Sequence, residues 1–71
     1  MSGEFDYDAA TDSLYIKLRP GESVDNRMIG DDIVIDIGID GEPVGYDIQH
    51  ASRHPEAIAE ALFYLHRRHA A

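Results

Sequence analysis

The sequence predicts an α+β fold of two layers, in which an antiparallel meander sheet of three to four strands packs one face against a single C-terminal helix. Three observations support this prediction. Apolar and polar residues alternate along much of the first 50 residues, an Asp-Gly turn divides two of these stretches, and an apolar stripe with helical spacing follows near the C-terminus. We therefore expect one domain over residues 1–71, with the sheet in residues 4–50 and the helix in residues 54–69.

Residues 5–18 contain two stretches in which apolar and polar side chains alternate, as they do in half-buried strands. A connection of four residues between them places Tyr7 opposite Leu14, so that the apolar side chains of both strands share one face. Asp8 and Asp12 suit this loop because short carboxylates accept hydrogen bonds from nearby backbone amides. These residues predict a first β-hairpin.

Pro20-Gly21 predicts a turn, since proline fixes φ at the first central position and glycine supplies a positive φ at the second. The segment that follows is irregular. Val24 and Met28 are expected to face the core in a short strand, but the residues that separate them are polar. The sheet is therefore expected to hold four strands, or three strands and a loose segment.

Residues 31–49 predict a second hairpin, because Asp40-Gly41 is a strong signal for a two-residue turn. This turn places Ile37 opposite Val44 and aligns the other apolar residues of the two arms on one face. The further apolar pairs expected in this register are Ile35 with Tyr46 and Ile33 with Ile48. The opposite, polar face is expected to carry Asp36, Gly38, Gly45 and Asp47, with open space beside Asp36 because Gly45 lies across from it.

Pro43 predicts that the last strand lies at an edge of the sheet, because proline cannot donate a hydrogen bond to a neighbouring strand. Edge strands pair readily with other chains. We therefore expect this strand to be available to a partner.

His54-Pro55 predicts the start of the helix, since proline is favoured at the first helical position. Phe63 lies off the apolar stripe of this helix and Tyr64 flanks it, so both are candidates for a subunit contact. Single exposed apolar residues are also ordinary, which is the alternative for both. The stripe expected to face the sheet consists of Ile58, Ala61, Leu62 and Leu65.

The chain has 71 residues, no cysteine and a formal net charge of −8. A domain of this size buries only about 60% of the surface that its unfolded chain exposes, so we expect a homodimer to add stability.

The negative charge disfavours direct binding of nucleic acid or an anionic membrane and favours a basic protein partner, although acidity also simply keeps proteins soluble. The N-terminal residues show no signal or transmembrane segment, so a cytoplasmic location is expected.

The polar face of the second hairpin is a candidate for chemistry. Asp36 and Asp47 project from it, and Lys17 and Tyr15 are expected on the same face, where carboxylate, amine and phenol groups are suited to acid–base work or ligand binding. The simpler interpretation is a cross-strand ion pair covered by the tyrosine. We favour the simpler interpretation and predict no catalytic residue, no cofactor and no enzymatic activity.

The histidines at positions 50 and 54 have the spacing of a metal-binding pair only on a continuous helix. Pro55 starts the helix too late for this, so His50 belongs to the preceding strand, where strand parity turns it toward the core. We therefore predict no metal site.

Residues 7–18, with the sequence Tyr-Asp-Ala-Ala-Thr-Asp-Ser-Leu-Tyr-Ile-Lys-Leu, resemble the opening signature of a family of small bacterial proteins, domain of unknown function 2283. The resemblance covers about residues 6–52 and continues through Ile35-Asp36, Asp40-Gly41, Gly45 and Ala51-Ser52. The sequence departs from the family pattern within residues 46–50, and the helix lies beyond it. The resemblance implies no established activity. Some members look like partners of small ribonuclease-type toxins, which implies an antitoxin-like role.

We therefore expect a non-catalytic interaction module that forms a homodimer and binds a basic, toxin-like protein through the acidic hairpin and the edge strand. The candidate partner-binding residues are Asp32, Asp36, Asp47, Phe63 and Tyr64. Two alternatives remain. One is a small enzyme or ligand-binding protein that uses Asp36, Asp47, Lys17 and Tyr15, and the other is a purely homo-oligomeric protein with Phe63 and Tyr64 at the contact.

Overall fold

The computed structural model describes the backbone of residues 5–69 and the side chains of residues 5–67. In these residues the fold is α+β, with one antiparallel sheet and one C-terminal helix, as predicted. The strands are β1 (Phe5–Asp8), β2 (Ser13–Lys17), β3 (Asp25–Ile29), β4 (Ile33–Ile37) and β5 (Pro43–Ile48). A single 3-10 turn (Ala51–Arg53) then leads into the helix α1 (Pro55–His69).

The first hairpin has the predicted register, with Tyr7 opposite Leu14 and Phe5 opposite Ile16. The Asp8 carboxylate accepts a hydrogen bond from the Ala10 amide at 3.0 Å, as expected for a residue that closes a loop. Phe5 and Tyr7 nevertheless remain 47% and 55% exposed, because β1 lies at the edge of the sheet while α1 packs on β5.

The predicted strand number of three to four is too low, because the irregular segment forms β3 and the sheet of the described residues contains five strands. The expected orientation of this segment is also wrong. Met28 pairs with Val34, which places it on the face opposite the core residues Ile33 and Ile35. Val24 and Met28 are accordingly exposed. The alternation of apolar residues cannot specify a strand that lies at an edge and buries neither face.

The sheet is not a simple meander, because its strand order is β1-β2-β5-β4-β3. β2 pairs with β5, so the predicted edge strand is in fact the central strand. Pro43 is tolerated there because it is the first residue of β5, and the pairing of β5 with β2 begins two residues later, at Gly45 opposite Lys17. The two edges are β1 and β3.

The loop of the second hairpin contains three residues instead of the predicted two. The Gly38 amide donates to the Glu42 carbonyl at 2.8 Å, and the Gly41 amide donates to the Gly38 carbonyl at 3.0 Å. Gly41 has a φ of 84°, which fits the left-handed residue that follows a type I turn in three-residue hairpins. The extra residue shifts the register near the turn, so Ile37 pairs with Pro43 instead of Val44. Farther from the turn the predicted pairs are present: Ile35 with Tyr46 and Ile33 with Ile48.

The core lies between the sheet and α1. The helix approaches through the small residues Ala57 and Ala61, both buried, and Tyr64 packs its ring against that of Tyr46 with 6.4 Å between the ring centres. Leu62, predicted in the buried stripe, is 41% exposed instead. The cluster of buried residues consists of Leu14, Ile16, Leu18, Ile33, Ile35, Tyr46, Ile48, Ala51, Ala57 and Ala61. Within residues 5–69, no helix has the length and apolar character needed to cross a membrane.

Candidate functional site

The sheet carries α1 on one side only, and its other side, which we call the open face, is covered by no other element among the described residues. Strand register defines the side chains of the open face, because directly paired residues point the same way. Asp6, Tyr15 and Asp47 form one row across β1, β2 and β5. The complete set is Asp6, Asp8, Ser13, Tyr15, Lys17, Asn26, Met28, Val34, Asp36, Gly45 and Asp47.

The structure brings together the four open-face residues that the sequence proposes, and Tyr15 occupies the centre of the group. Its ring lies over Gly45, and a methyl group at Gly45 would overlap the tyrosine hydroxyl. That hydroxyl donates a long hydrogen bond to Asp36 Oδ2, at 3.4 Å. The expectation of open space beside Asp36 is therefore wrong, because Tyr15 fills it. Partial burial, together with the charges of Asp36 and Asp47, raises the pKa of Tyr15.

The expected ion pair across this face is absent among the described residues. Lys17 shares the face, but its Nζ donates to the Gly21 carbonyl oxygen at 3.3 Å, in the middle of the loop between β2 and β3. Its ammonium group therefore does not neutralise Asp36 or Asp47 by direct contact. No cation among residues 5–67 forms an ion pair with the carboxylates of the open face.

Part of the open face forms a shallow groove, with a volume of about 450 Å³, between β1, β2 and β5. The residues that line it include Asp6, Asp8 and Asp47, together with Tyr15 and Ser13. Carboxylates and a phenol in an open groove are suited to bind ammonium and guanidinium groups by hydrogen bonding and charge. Asp6 and Asp8 are not among the residues that the sequence predicts for this site. The alternation along β1 could have found them, because the register with β2 was predictable.

Asp32 immediately precedes β4 and contacts two histidines. Its Oδ1 lies 3.2 Å from His50 Nδ1, and its Oδ2 lies 2.8 Å from His54 Nε2. The hydrogen bonds with His54 and then His50 lower the pKa of Asp32. The same bond with Asp32, aided by Glu56 at 3.5 Å, raises the pKa of His54. This cluster fixes the 3-10 turn and the start of α1 to β4.

The expectation that His50 faces the core is wrong, because its side chain is 53% exposed. β5 ends at Ile48, and His50 adopts a left-handed conformation with φ 52° that turns it out of the strand toward Asp32. No group of three or more histidine and acidic residues in the described part of the chain is arranged to hold a metal ion.

Asp12 has a larger role than the local loop contact that the sequence suggests. Its carboxylate accepts hydrogen bonds from the Ser52 hydroxyl at 2.7 Å, from the Ser52 amide at 3.2 Å, and from the Tyr7 hydroxyl at 2.7 Å. Its carbonyl oxygen accepts the Ala51 amide at 2.8 Å. The hydrogen bonds to the carboxylate, foremost the one from the Ser52 side chain and then the one from Tyr7, lower the pKa of Asp12. Asp12 therefore joins the first loop to the 3-10 turn, 40 residues farther along the chain.

The two aromatic candidates on the helix have different positions. Phe63 is 59% exposed, and the Arg67 guanidinium lies over its ring, 5.8 Å from the ring centre. Tyr64 is half-buried and packs against Tyr46 inside the fold. The structure thus separates the five sequence-predicted partner-binding residues into three places: Asp36 and Asp47 on the open face, Asp32 in the histidine cluster, and Phe63 and Tyr64 on α1.

Comparison with known proteins gives a family but no described function. No curated protein and no solved structure matches the chain. The model of the family described as Protein of unknown function (DUF2283) matches residues 4–52. This range holds the whole sheet and ends at Ser52, the residue tied to Asp12, while α1 lies outside it. Because the match covers more than half of its residues, the chain belongs to the DUF2283 family.

Proposed function

We propose that this protein is a non-catalytic interaction module that binds a basic protein through its open face. The observation that carries the proposal is the charge of this face: Asp6, Asp8, Asp36 and Asp47 against the single cation Lys17. A sheet face that served only to complete the fold would need no such concentration of one sign. Like charges close together destabilise the isolated protein slightly, and a cationic partner relieves this repulsion.

The geometry fits a large, flat partner better than a small substrate. The groove on the open face is shallow, and Tyr15 fills the space next to Asp36 that a substrate would need. Small-molecule sites are concave and enclose most of the ligand, whereas protein interfaces are broad with complementary charge. These observations support an interaction surface over the alternative of an enzyme or ligand-binding protein that uses Asp36, Asp47, Lys17 and Tyr15.

The narrower form of the proposal is an antitoxin-like role, in which the partner is a basic ribonuclease-type toxin. It rests on the family resemblance and on the chemistry of the partner: a protein that binds RNA exposes lysine and arginine for the phosphates. An acidic face competes for the same side chains. In this form the carboxylates of the open face imitate the phosphates of RNA and block the RNA-binding surface of the partner. The protein itself has no need to bind nucleic acid.

Titration of isotope-labelled protein with a lysine- and arginine-rich peptide, followed by NMR, tests the binding surface. The amide signals of Asp6, Tyr15, Lys17, Asp36 and Asp47 are expected to shift, and the shifts should weaken as salt is raised because exposed charges are screened. The signals of the exposed helix residues Leu62 and Phe63 should stay in place. Shifts concentrated on the helix, or distributed evenly, would contradict the proposal.

A pair of charge-matched variants sharpens the test. Asp36→Asn with Asp47→Asn removes two charges from the open face, and Glu22→Gln with Asp31→Asn removes two charges from exposed loops. Both variants have the same net charge, so a general attraction to an acidic protein affects them equally. We expect the first variant to bind the peptide about tenfold more weakly at low salt and the second to bind almost as the wild type.

A further inference from the structure

The two edges of the sheet differ in what a second copy of the chain would meet there. Every residue of β1 and β3 is exposed, and both strands offer unpaired backbone groups. Antiparallel pairing of β1 with itself, with both helices on the same side of the sheet, places Asp6 opposite Asp6 or opposite Asp8. Like charges directly opposite each other are destabilising, so β1 is protected against self-pairing.

The outer edge of β3 presents its Asn26 and Met28 backbone groups to solvent. The Val24 amide donates to the Ile37 carbonyl at 2.8 Å, so the odd-numbered residues of β4 direct their backbone groups toward β3. Their partners in β3 are Asp25, Arg27 and Ile29, and residues 26 and 28 therefore point away from the sheet. The Asn26 amide accordingly bonds to the carboxylate of Asp25 at 2.8 Å instead of to a strand.

Pairing of β3 with its own copy is self-complementary in one register, with Asn26 opposite Asn26. In this register each Asp25 lies opposite Arg27 of the second copy, so two cross-strand ion pairs form on the helix side. Met28, which is 63% exposed in the single chain, lies on the open face beside the same edge. Opposite charges across strands are stabilising.

The alternative register, shifted by two residues, is unfavourable. It places Arg27 opposite Arg27 at the centre of the interface, and Asp25 opposite the apolar Ile29. Arg27 makes no ion pair with the described residues of its own chain, so its charge is available to a second copy.

We infer that the protein forms a homodimer by antiparallel pairing of β3 with β3 of a second copy, in the register that centres on Asn26. The dimer contains one continuous sheet of ten strands, with both helices on one side and both open faces on the other. This inference does not depend on the proposed function, since neither Asp36 nor Asp47 takes part. In the dimer the Asn26 amide donates to a carbonyl of the partner strand and no longer to the Asp25 carboxylate. The Asp25 carboxylate then pairs with Arg27 of the second copy.

Cysteine cross-linking tests the register directly, because the natural chain has no cysteine. In the proposed dimer the two Asn26 Cα atoms are about 5.5 Å apart, a separation that a disulfide spans. The two Met28 Cα atoms are about 13 Å or more apart along the strands, which a disulfide cannot span. Under mild oxidation we expect Asn26→Cys to form a covalent dimer and Met28→Cys, the matched control, to stay monomeric. The proposal is overturned if Asn26→Cys stays monomeric or if Met28→Cys cross-links equally well.

Charge exchange tests the interface without cysteine. Asp25→Arg and Arg27→Asp each place like charges opposite each other, and we expect each to raise the dimer dissociation constant at least about tenfold. The double variant restores opposite charges and should restore the dimer, as measured by light scattering over a concentration series. Arg53→Asp, in the exposed 3-10 turn, is the control for charge alone and should dimerise as the wild type does. A wild type that stays monomeric at high concentration, or a double variant weaker than both single variants, contradicts the inference.

Discussion

The hydrogen bond between Tyr46 and Glu60 predicts how firmly the helix is fixed to the sheet. Tyr46, in the central strand, is 1% exposed, and its hydroxyl donates to Glu60 Oε2 on α1 at 2.5 Å. The ring is buried, while the acceptor belongs to an exposed residue at the margin of the core. Replacing Tyr46 with phenylalanine removes this bond and leaves the ring packing in place. We therefore expect the fold to persist with a lower free energy of unfolding.

The expected loss is about 1 kcal/mol at pH 7. A hydrogen bond to a charged group contributes about 1.5–3 kcal/mol, and we expect a loss somewhat below this range because Glu60 regains water once the hydroxyl is gone. For a domain of this size, 1 kcal/mol corresponds to a melting temperature lower by about 4–8 °C. Urea unfolding followed by circular dichroism measures the free energy. Tyr64→Phe is the matched control, because the Tyr64 hydroxyl makes no hydrogen bond with the described residues, and it should change the free energy by less than about 0.5 kcal/mol.

The same contact predicts a dependence on alkaline pH. Burial, and then the bond to Glu60, raise the pKa of Tyr46 above its ordinary value of 10.0. The unfolded tyrosine ionises above pH 10 while the folded one stays protonated, so the wild type loses stability with rising pH and the Tyr46→Phe variant lacks this loss. The advantage of the wild type should therefore shrink above pH 10. Equal stability of the two proteins at pH 7, or a difference that does not change from pH 9 to pH 11, would refute this reasoning.

Three further changes test other parts of the structure. Gly45→Ala should displace the Tyr15 ring and lower the free energy of unfolding by about 1–2 kcal/mol in urea titrations, and the loss should be smaller in a Tyr15→Ala background. The His54–Asp32 contact should stabilise the protein most between pH 3.8 and 6.5. Because the pKa of His54 is raised, this stability is lost as pH rises above 6.5. Because the pKa of Asp32 is lowered, the stability is also lost as pH falls below 3.8. A His54→Asn variant should lack the loss above pH 6.5. Asp12→Ala should lower the melting temperature. Asp12→Asn should lower it much less, since asparagine accepts hydrogen bonds and tolerates the φ of 57°.

Each of these three predictions has an outcome that contradicts it. A Gly45→Ala variant as stable as the wild type would mean that Tyr15 moves away at no cost. A His54→Asn variant with the same pH profile between 6 and 8 would mean that another group causes the loss. Equal melting temperatures of the alanine and asparagine variants of position 12 would mean that the carboxylate bonds to Ser52 and Tyr7 contribute nothing.

The sequence predicts the local pairings of this fold well, because hairpins are specified by residues close together in the chain. The pair of Tyr7 with Leu14 follows from alternation and loop length, and Ile33 with Ile48 follows from alternation around the turn. The turn has one residue more than predicted, but the pairing farther from the turn is as predicted. A bulge at Val44 restores the register and keeps the apolar residues on the core side.

The arrangement of the hairpins depends on contacts between distant residues, and these have no local signal. The pairing of β2 with β5 brings Ile16 to Tyr46, and it makes β5 central in spite of Pro43. β3 lacks an alternating pattern because it buries neither face, so pattern alone cannot find it. The link from Asp12 to Ser52 likewise spans 40 residues and combines two short polar motifs, each of which is ordinary by itself.

The candidate site likewise combines features that the sequence predicts with features that it does not. Tyr15, Asp36 and Asp47 share a face because strand parity requires it, and the sequence predicts this. The position of the Tyr15 ring over Gly45, and the turn of Lys17 toward Gly21, are decided by side-chain packing. Parity also indicates nothing about Asp32, which follows a turn and meets two histidines from another part of the chain.

Affinity capture from a native lysate with quantitative mass spectrometry tests the proposal that the carboxylates of the open face bind a basic protein. Three baits are compared: the wild type, Asp36→Asn with Asp47→Asn, and the charge-matched Glu22→Gln with Asp31→Asn. We predict that the wild type and the matched control recover the same lysine- and arginine-rich protein and that the open-face variant loses it. Recovery of that protein by all three baits in equal amounts would contradict the claim, as would a main partner that is not basic.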